Sequence, residues 1–261
     1  MLKYLFIALW LPVSALAQNM DYGSVKLLKG WQDDDGNYQI ALEFALNDGW
    51  KTYWRTPGPA GLPPVFNWES SANIGDVRYD WPIPEVIRQA GMTTLGYRDT
   101  FVLPITITPE TDSPVRLAMN LNFGVCSDIC VPAQAVFLAR LNGSAHEGEA
   151  RIEAALARAP ETAEDAGLVS IECAVSPRVK GSEITANMTF DAPMEGAFIV
   201  LESDDGDVWI DMPESTSHGA NLQAKAPMQY YGFGEMELDF AGLTVSVFTA
   251  NRAVEIEGCP E

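Results

Sequence analysis

The chain is poor in histidine, in basic side chains and in cysteine, and each shortage closes off a class of function. His146 and His218 are its only histidines, and no HxxxH spacing occurs. A zinc site asks for about four converging ligands, and the sequence offers only two closely spaced sulfurs. No GxSxG elbow, phosphate-cradling glycine loop or Cys–His signature is present, so hydrolase and nucleotide chemistry have no support. The many carboxylates are scattered rather than paired. Lys and Arg number 16 against 36 Asp and Glu, a formal charge of −20, which opposes nucleic acid and anionic membrane surfaces as partners. The imbalance is uneven, since residues 160–261 hold 19 acidic and 4 basic side chains. Beyond the N-terminus no apolar run approaches the ~18 residues that a membrane span needs.

The first 17 residues have the make-up of a signal peptide. Lys3 supplies the positive region, Tyr4–Leu11 an apolar stretch too short to span a bilayer, and Ala15-Leu16-Ala17 a cleavage site before Gln18. The mature protein is expected to be exported and soluble. All four cysteines (Cys126, Cys130, Cys173, Cys259) lie in that exported part, where disulfides are permitted.

Four cysteines allow three pairings. A 173–259 bond would fasten the first and last strands of one domain, and chain entropy assigns its long loop about 4.6 kcal/mol, against about 2 for a 126–130 loop. The long bridge is therefore expected to be structural and the short one more easily given up. Cys126 and Cys130 bracket Ser127-Asp128-Ile129, between an alternating run at Arg116–Phe123 and another at Ala135–Ala139, which places them at or near the turn of a β-hairpin. Fully extended, that spacing would hold the Cα atoms roughly 13 Å apart, beyond the ~7 Å that a disulfide tolerates. The segment must turn if the pair is to close. Pro132 argues against a continuous helix.

Alternation predicts further strands at Gly23–Trp31, Tyr38–Leu46, Val65–Trp68, Asp76–Tyr79 and Phe101–Thr108. Residues Gly49–Pro64 (GWKTYWRTPGPAGLPP) suggest a strand leading into a rigid loop. Their aromatics read either as the edge of a packed core or as a wall beside the dithiol. Gln89–Thr94 suggests an exposed loop. Glu147–Ala159 places Ile152, Ala155 and Leu156 at helical spacing and stops at Pro160. After it the alternation resumes at Ile184–Phe190, Phe198–Glu202, Val208–Met212, Met236–Phe240 and Leu243–Thr249. The expected fold is all-β: two immunoglobulin-like β-sandwich domains joined by a short helical linker. The expected boundaries are 18–145 for the cysteine-pair domain, 146–167 for the linker and 168–261 for a smaller second domain.

The Gly49–Pro64 run, with Trp81-Pro82-Ile83-Pro84, Gly96-Tyr97-Arg98-Asp99, Leu103-Pro104-Ile105 and GVCSDICVP at 124–132, resembles the N-terminal periplasmic domain of the disulfide reductase DsbD. The likeness is closer to the related ScsB-type proteins, whose periplasmic region pairs two immunoglobulin-like domains. The motifs cover roughly residues 45–140. The resemblance implies a periplasmic electron shuttle in which Cys126 and Cys130 form the redox pair and Tyr97 belongs to the active-site surround, with Phe123 and Met92 beside it. The implied partners are a separate thiol donor and thioredoxin-like periplasmic proteins; no cofactor is implied. DsbD itself spaces its pair more widely than CxxxC and covers it with an aromatic-bearing cap loop. The corresponding Gln89–Thr93 has no aromatic, so Met92 is the candidate shield. DsbD-like reductases continue into a transmembrane electron conduit, which these 261 residues do not contain; hence the separate donor.

No Lys, Arg or His adjoins the pair in sequence, and Asp128 is negative. The thiol pKa is therefore expected to be raised, the oxidised form to be the one attacked, and Asp128 to handle the proton of the return step. Two other readings stand beside exchange. CxxxC could hold Cu(I), although the methionines show no MxxM clustering. The chain could also be a non-catalytic adaptor with structural disulfides.

Overall fold

A computed structural model of the chain describes residues 18–20, 22–89, 91–234, 238–250 and 252–259, with only the backbone described at 18–20. The expected signal peptide lies outside these residues. The first strands are β1 (Gln18–Met20), β2 (Gly23–Gln32), β3 (Tyr38–Leu46), β4 (Lys51–Tyr53), β5 (Val65–Asn67) and β6 (Asp76–Tyr79). They continue as β7 (Glu85–Gln89), β8 (Met92–Arg98), β9 (Thr100–Thr108), β10 (Val115–Cys126) and β11 (Cys130–Leu141). Helix α1 (Glu149–Leu156) follows. Beyond it lie β12 (Glu161–Thr162), β13 (Leu168–Pro177), β14 (Ser182–Phe190), β15 (Phe198–Ser203) and β16 (Val208–Ile210). The chain closes with β17 (Glu214–His218), β18 (Asn221–Tyr230), β19 (Leu243–Phe248) and β20 (Ala253–Glu257).

The fold is all-β with one short helix, as alternation predicts. The strands form four sheets, ordered β1-β2-β3-β9-β6, β11-β10-β4-β8-β7 with β5 on β10, β12-β20-β19-β15, and β13-β14-β18-β16 with β17 on β18. The first two face each other across one core. Ile40, Leu42, Leu103 and Ile105 come from one sheet, and Leu95, Leu117, Met119 and Leu121 from the other, all at most 1 % exposed. These residues sit at every second position of their strands, which is why one face of each sheet is apolar. The last two sheets enclose Ile184, Ala186, Met188, Val245 and Val247 in the same way. The Cys173–Cys259 bridge (Cα–Cα 5.6 Å) joins β13 to the end of the segment after β20, hence one of these sheets to the other.

The helix is shorter than the expected Glu147–Ala159. It lays Ile152 on Leu28 and Ala41, on the outer face of the first sheet. Three other expectations shift. Of the expected exposed loop at 89–94, Gln89 ends β7 and Met92, Thr93 and Thr94 open β8, with Gln89 paired to Met92. Of the expected strand Met236–Phe240, residues 236 and 237 lie outside the described set, and Phe240–Gly242 form a 3₁₀ turn capped by the Asp239 carboxylate. Leu168–Pro177 and Asn221–Tyr230 are long strands that the pattern did not mark.

The two halves meet at the end of β4. Trp54 stands edge-on to Phe248 at 5.5 Å, and Val200, Phe248 and Ala253 join the first core. The Arg55 guanidinium stacks over Trp54 at 4.5 Å. It bonds Glu202 in a fork (Nε–Oε1 2.9 Å, Nη2–Oε2 2.8 Å) and reaches Glu255 at 2.6 Å. The Thr56 hydroxyl also donates to Glu202.

Candidate functional site

Strands β10 and β11 pair residue for residue from Val115↔Leu141 to Cys126↔Cys130. The cysteines therefore close the hairpin at its tip, with Cα atoms 4.1 Å apart and the sulfurs bonded. Ser127 N–H donates to Ile129 C=O across the tight loop. The turn that the spacing demands is thus supplied by three residues. The two cysteines have unequal access. Cys126 is 1 % exposed, whereas Cys130 lies on the exposed side, next to Ile129 at 72 %.

Register explains what surrounds the sulfurs. On its other side β10 pairs with β4, Cys126 opposite Lys51 and Val125 opposite Thr52. Opposed residues of an antiparallel pair project to the same face, and successive residues alternate. Cys126, Lys51 and Tyr53 thus share the outer face, while Val125 and Thr52 face the core. Thr52 fixes the pairing by donating its hydroxyl to Gly124 C=O at 2.8 Å.

The strands beside β4 carry a glycine at each close approach: Gly124 under the Tyr53 ring and Gly96 against the backbone of Thr52. A Cβ on Gly124 would lie 3.1 Å from the Tyr53 ring and 2.6 Å from Leu62, and one on Gly96 would strike the Thr52 carbonyl oxygen. With no side chain at Gly124, the Tyr53 ring fits there and its hydroxyl reaches Cys126 Sγ at 2.7 Å and Cys130 Sγ at 3.4 Å. A disulfide sulfur carries no hydrogen, so the phenol is the donor. Burial raises the Tyr53 pKa and keeps the hydroxyl protonated.

Lys51 closes another wall. Its side chain is buried at 8 % exposure, and its ammonium donates to Gln89 Oε1 at 3.0 Å. Burial first, and then the charge of Arg98, push its pKa down. Lys51, Tyr53, Gln89, Met92, Thr94 and Asp128 line one small cleft with both cysteines.

The expected site residues divide by face. Asp128 stands exposed on the tip loop, and Met92, 54 % exposed at the end of the β7–β8 hairpin, borders the same cleft. Tyr97 and Phe123 are elsewhere. Tyr97 is opposite Thr52 in the β4–β8 register and so faces inward. It stacks on Phe101 at 4.0 Å, donates to Pro82 C=O at 2.7 Å, and has its pKa raised by burial. Phe123 is an odd number of residues from Cys126 and points into the core, edge-on to Phe44 at 5.6 Å. No cation adjoins the pair in sequence, but strand pairing brings Lys51 beside Cys126. Both readings of the Gly49–Pro64 aromatics hold for different rings: Trp54 packs in the core and Tyr53 walls the sulfurs.

Among the described residues no helix is long and apolar enough to cross a membrane, and no three His, Cys, Asp or Glu side chains converge as metal ligands. Comparison with curated proteins finds no match. Among solved structures the chain is similar to the N-terminal periplasmic domain of ScsB from Proteus mirabilis. That likeness has a TM-score of 0.70 and 22 % identity, covering 94 % of this chain and 96 % of that one, and it extends the shared fold over both sandwiches. Residues 24–142 match the family described as thiol:disulfide interchange protein DsbD, N-terminal. The matched stretch is the one that carries Cys126, Cys130 and most of the first two sheets.

Proposed function

We propose that the protein is a periplasmic thiol–disulfide exchange module, a component of protein-disulfide reduction that passes electrons through Cys126 and Cys130. It accepts them from a separate thiol donor and delivers them to thioredoxin-fold proteins. In this reading residues 18–145 form the redox domain, 146–167 the connector and 168–261 a second domain. The observation that carries the reading is the unequal exposure of one closed pair: Cys130 is open to an incoming thiolate, while Cys126 is buried against a phenol donor.

Exchange proceeds by a thiolate attacking one sulfur while the other leaves as thiolate. The reactant's thiolate bonds Cys130 Sγ, the Cys126–Cys130 bond breaks, and its electron pair remains on Cys126. The Tyr53 hydroxyl already donates to that sulfur and gains strength as charge forms there. Cys126 thiolate then either returns the attack on Cys130 Sγ, releasing the reactant, or takes up a proton, relayed by Asp128 of the same cleft. In the latter case the donor's second thiolate attacks its own sulfur in the mixed disulfide; Cys130 leaves as thiolate, the donor becomes the disulfide and the pair is reduced. Met92 partly shades the cleft.

The test is a trapping experiment whose probe is reduced thioredoxin with its resolving cysteine replaced by serine, so that a mixed disulfide, once formed, is not released. Cys126→Ser, oxidised with a small aromatic disulfide at Cys130, should form a mixed disulfide with the probe within seconds to minutes. Cys130→Ser, similarly treated, should react far more slowly. Equal rates, or no complex from either variant, would overturn the assignment of Cys130 as the point of attack.

A further inference from the structure

The cleft contains a cation that the closed disulfide does not need. Lys51 has one hydrogen-bond partner, the neutral Gln89 amide, and among the described residues it forms no ion pair. The neighbouring cation, Arg98, faces Lys51 across the β4–β8 register and is neutralised by Glu85 at 3.1 Å. A buried charge without a counter-ion costs free energy. The disulfide beside it is neutral, and an anion appears there only when the bond opens. Cys126 is the residue directly opposite Lys51, where Cβ atoms stand about 5 Å apart on one face of a sheet.

We propose that Lys51 is a positioning residue for the dithiol, a built-in counter-ion that stabilises the thiolate left on Cys126 and so sets how readily the protein gives up and re-forms its disulfide. The inference rests on the exchange reading above and identifies what tunes it. The charge balance is complete without a further reactant: the bond's electron pair settles on Cys126, Lys51 remains protonated, and the pair forms one ammonium–thiolate contact. The groups facing that contact are few. On β4 there is Tyr53, a neutral donor; on β7 and β8 there are Gln89, neutral, and Arg98, paired with Glu85; on the hairpin tip there is Asp128, the one unfavourable charge, which is exposed and screened by solvent. Burial already presses Lys51 towards its neutral form. A thiolate alongside reverses that pressure, so each ionised group favours the other.

The experiment uses the full chain with Cys130→Ser, leaving Cys173–Cys259 intact, and titrates Cys126 by its ultraviolet thiolate absorbance and by the pH profile of its alkylation. Lys51→Met should raise the midpoint by about one unit, a roughly tenfold loss of thiolate at a given pH. Lys51→Gln, which keeps a polar group towards Gln89, should do the same should the methionine variant fold poorly, and Lys51→Arg should restore the original midpoint. A midpoint unchanged in both neutral variants would overturn the proposal. No exchange partner enters this readout. A normal shift with failed trapping at Cys130 would therefore count against the exchange function alone, and normal trapping with no shift against the counter-ion alone.

Discussion

Replacing Cys173 and Cys259 together by alanine removes a bridge whose ends are 86 residues apart. Both sulfurs are buried, and the bond ties one sheet of the second sandwich to the other. Chain entropy gives the loss as about 4.6 kcal/mol at 25 °C, a large share of the ~5–15 kcal/mol that a domain has in total. The corresponding Cys126→Ala/Cys130→Ala variant opens a link between residues only four apart. Its upper limit is about 2 kcal/mol, and the true loss is smaller because the β10–β11 ladder already holds the two ends together in any state that retains the hairpin. With a urea slope of about 2 kcal/mol per molar, the first variant should unfold about 2 M earlier than the parent and the second less than about 1 M earlier, followed by far-ultraviolet circular dichroism. Equal shifts, or a larger one for the hairpin pair, would refute the division into a structural bridge and an exchangeable one.

Tyr53→Phe removes the hydroxyl from Cys126 while keeping the ring. Losing a hydrogen bond to a charged sulfur, about 1.5–3 kcal/mol, should slow opening of the disulfide by dithiothreitol by tenfold or more; an unchanged rate would remove Tyr53 from the mechanism. Arg55→Ala leaves Glu202 and Glu255 facing each other without their cation and should destabilise the chain by about 2 kcal/mol, below the ~3–5 of a fully buried pair. Arg55→Lys should recover only part of this in urea denaturation, because lysine lacks the fork. The hydrogen bonds from Arg252 hold the Glu161 carboxyl below its ordinary pKa of 4.5. The stability this contributes is complete above that value and is lost as pH falls through the lower folded value. Thermal melts between pH 6 and pH 3 should therefore fall less steeply for Glu161→Gln than for the parent. Finally, the acidic surface predicts that association with a basic thioredoxin-fold partner slows as salt rises; a salt-independent rate would show that steering plays no part.

The parts of the fold legible in the sequence are those where one face of a strand is fully apolar. Tyr38–Leu46 and Val115–Cys126 alternate cleanly, and Ile152 among charged neighbours marked the helix. Strand Leu168–Pro177 escaped although Val169, Ile171, Cys173 and Val175 alternate with Ser170, Glu172 and Ala174, and of its residues only Cys173 is buried. Strand Asn221–Tyr230 escaped because Ala224 and Ala226 give its inner face little apolar weight and Pro227 interrupts it. At the site, the hairpin and its closing pair were legible from local spacing. Phe123 was misplaced although parity alone could have excluded it: an odd offset from Cys126 within one strand puts it on the other face. Tyr97 needed more, because its face follows from pairing with Thr52, and that register is written nowhere in the local sequence. The same holds for Lys51 and Tyr53. Their contact with the sulfurs depends on β4 docking beside β10, and the only local sign was an aromatic-rich run flanked by glycines.

The measurement closest to the centre of the account is the reduction potential of the Cys126–Cys130 bond, with Cys173 and Cys259 left intact and a glutathione or dithiothreitol buffer as reference. A pair that trades electrons with thioredoxin-fold proteins should equilibrate above about −300 mV. A potential below that, or a bond that no small thiol opens in the folded protein, would make it a structural clasp and contradict the account.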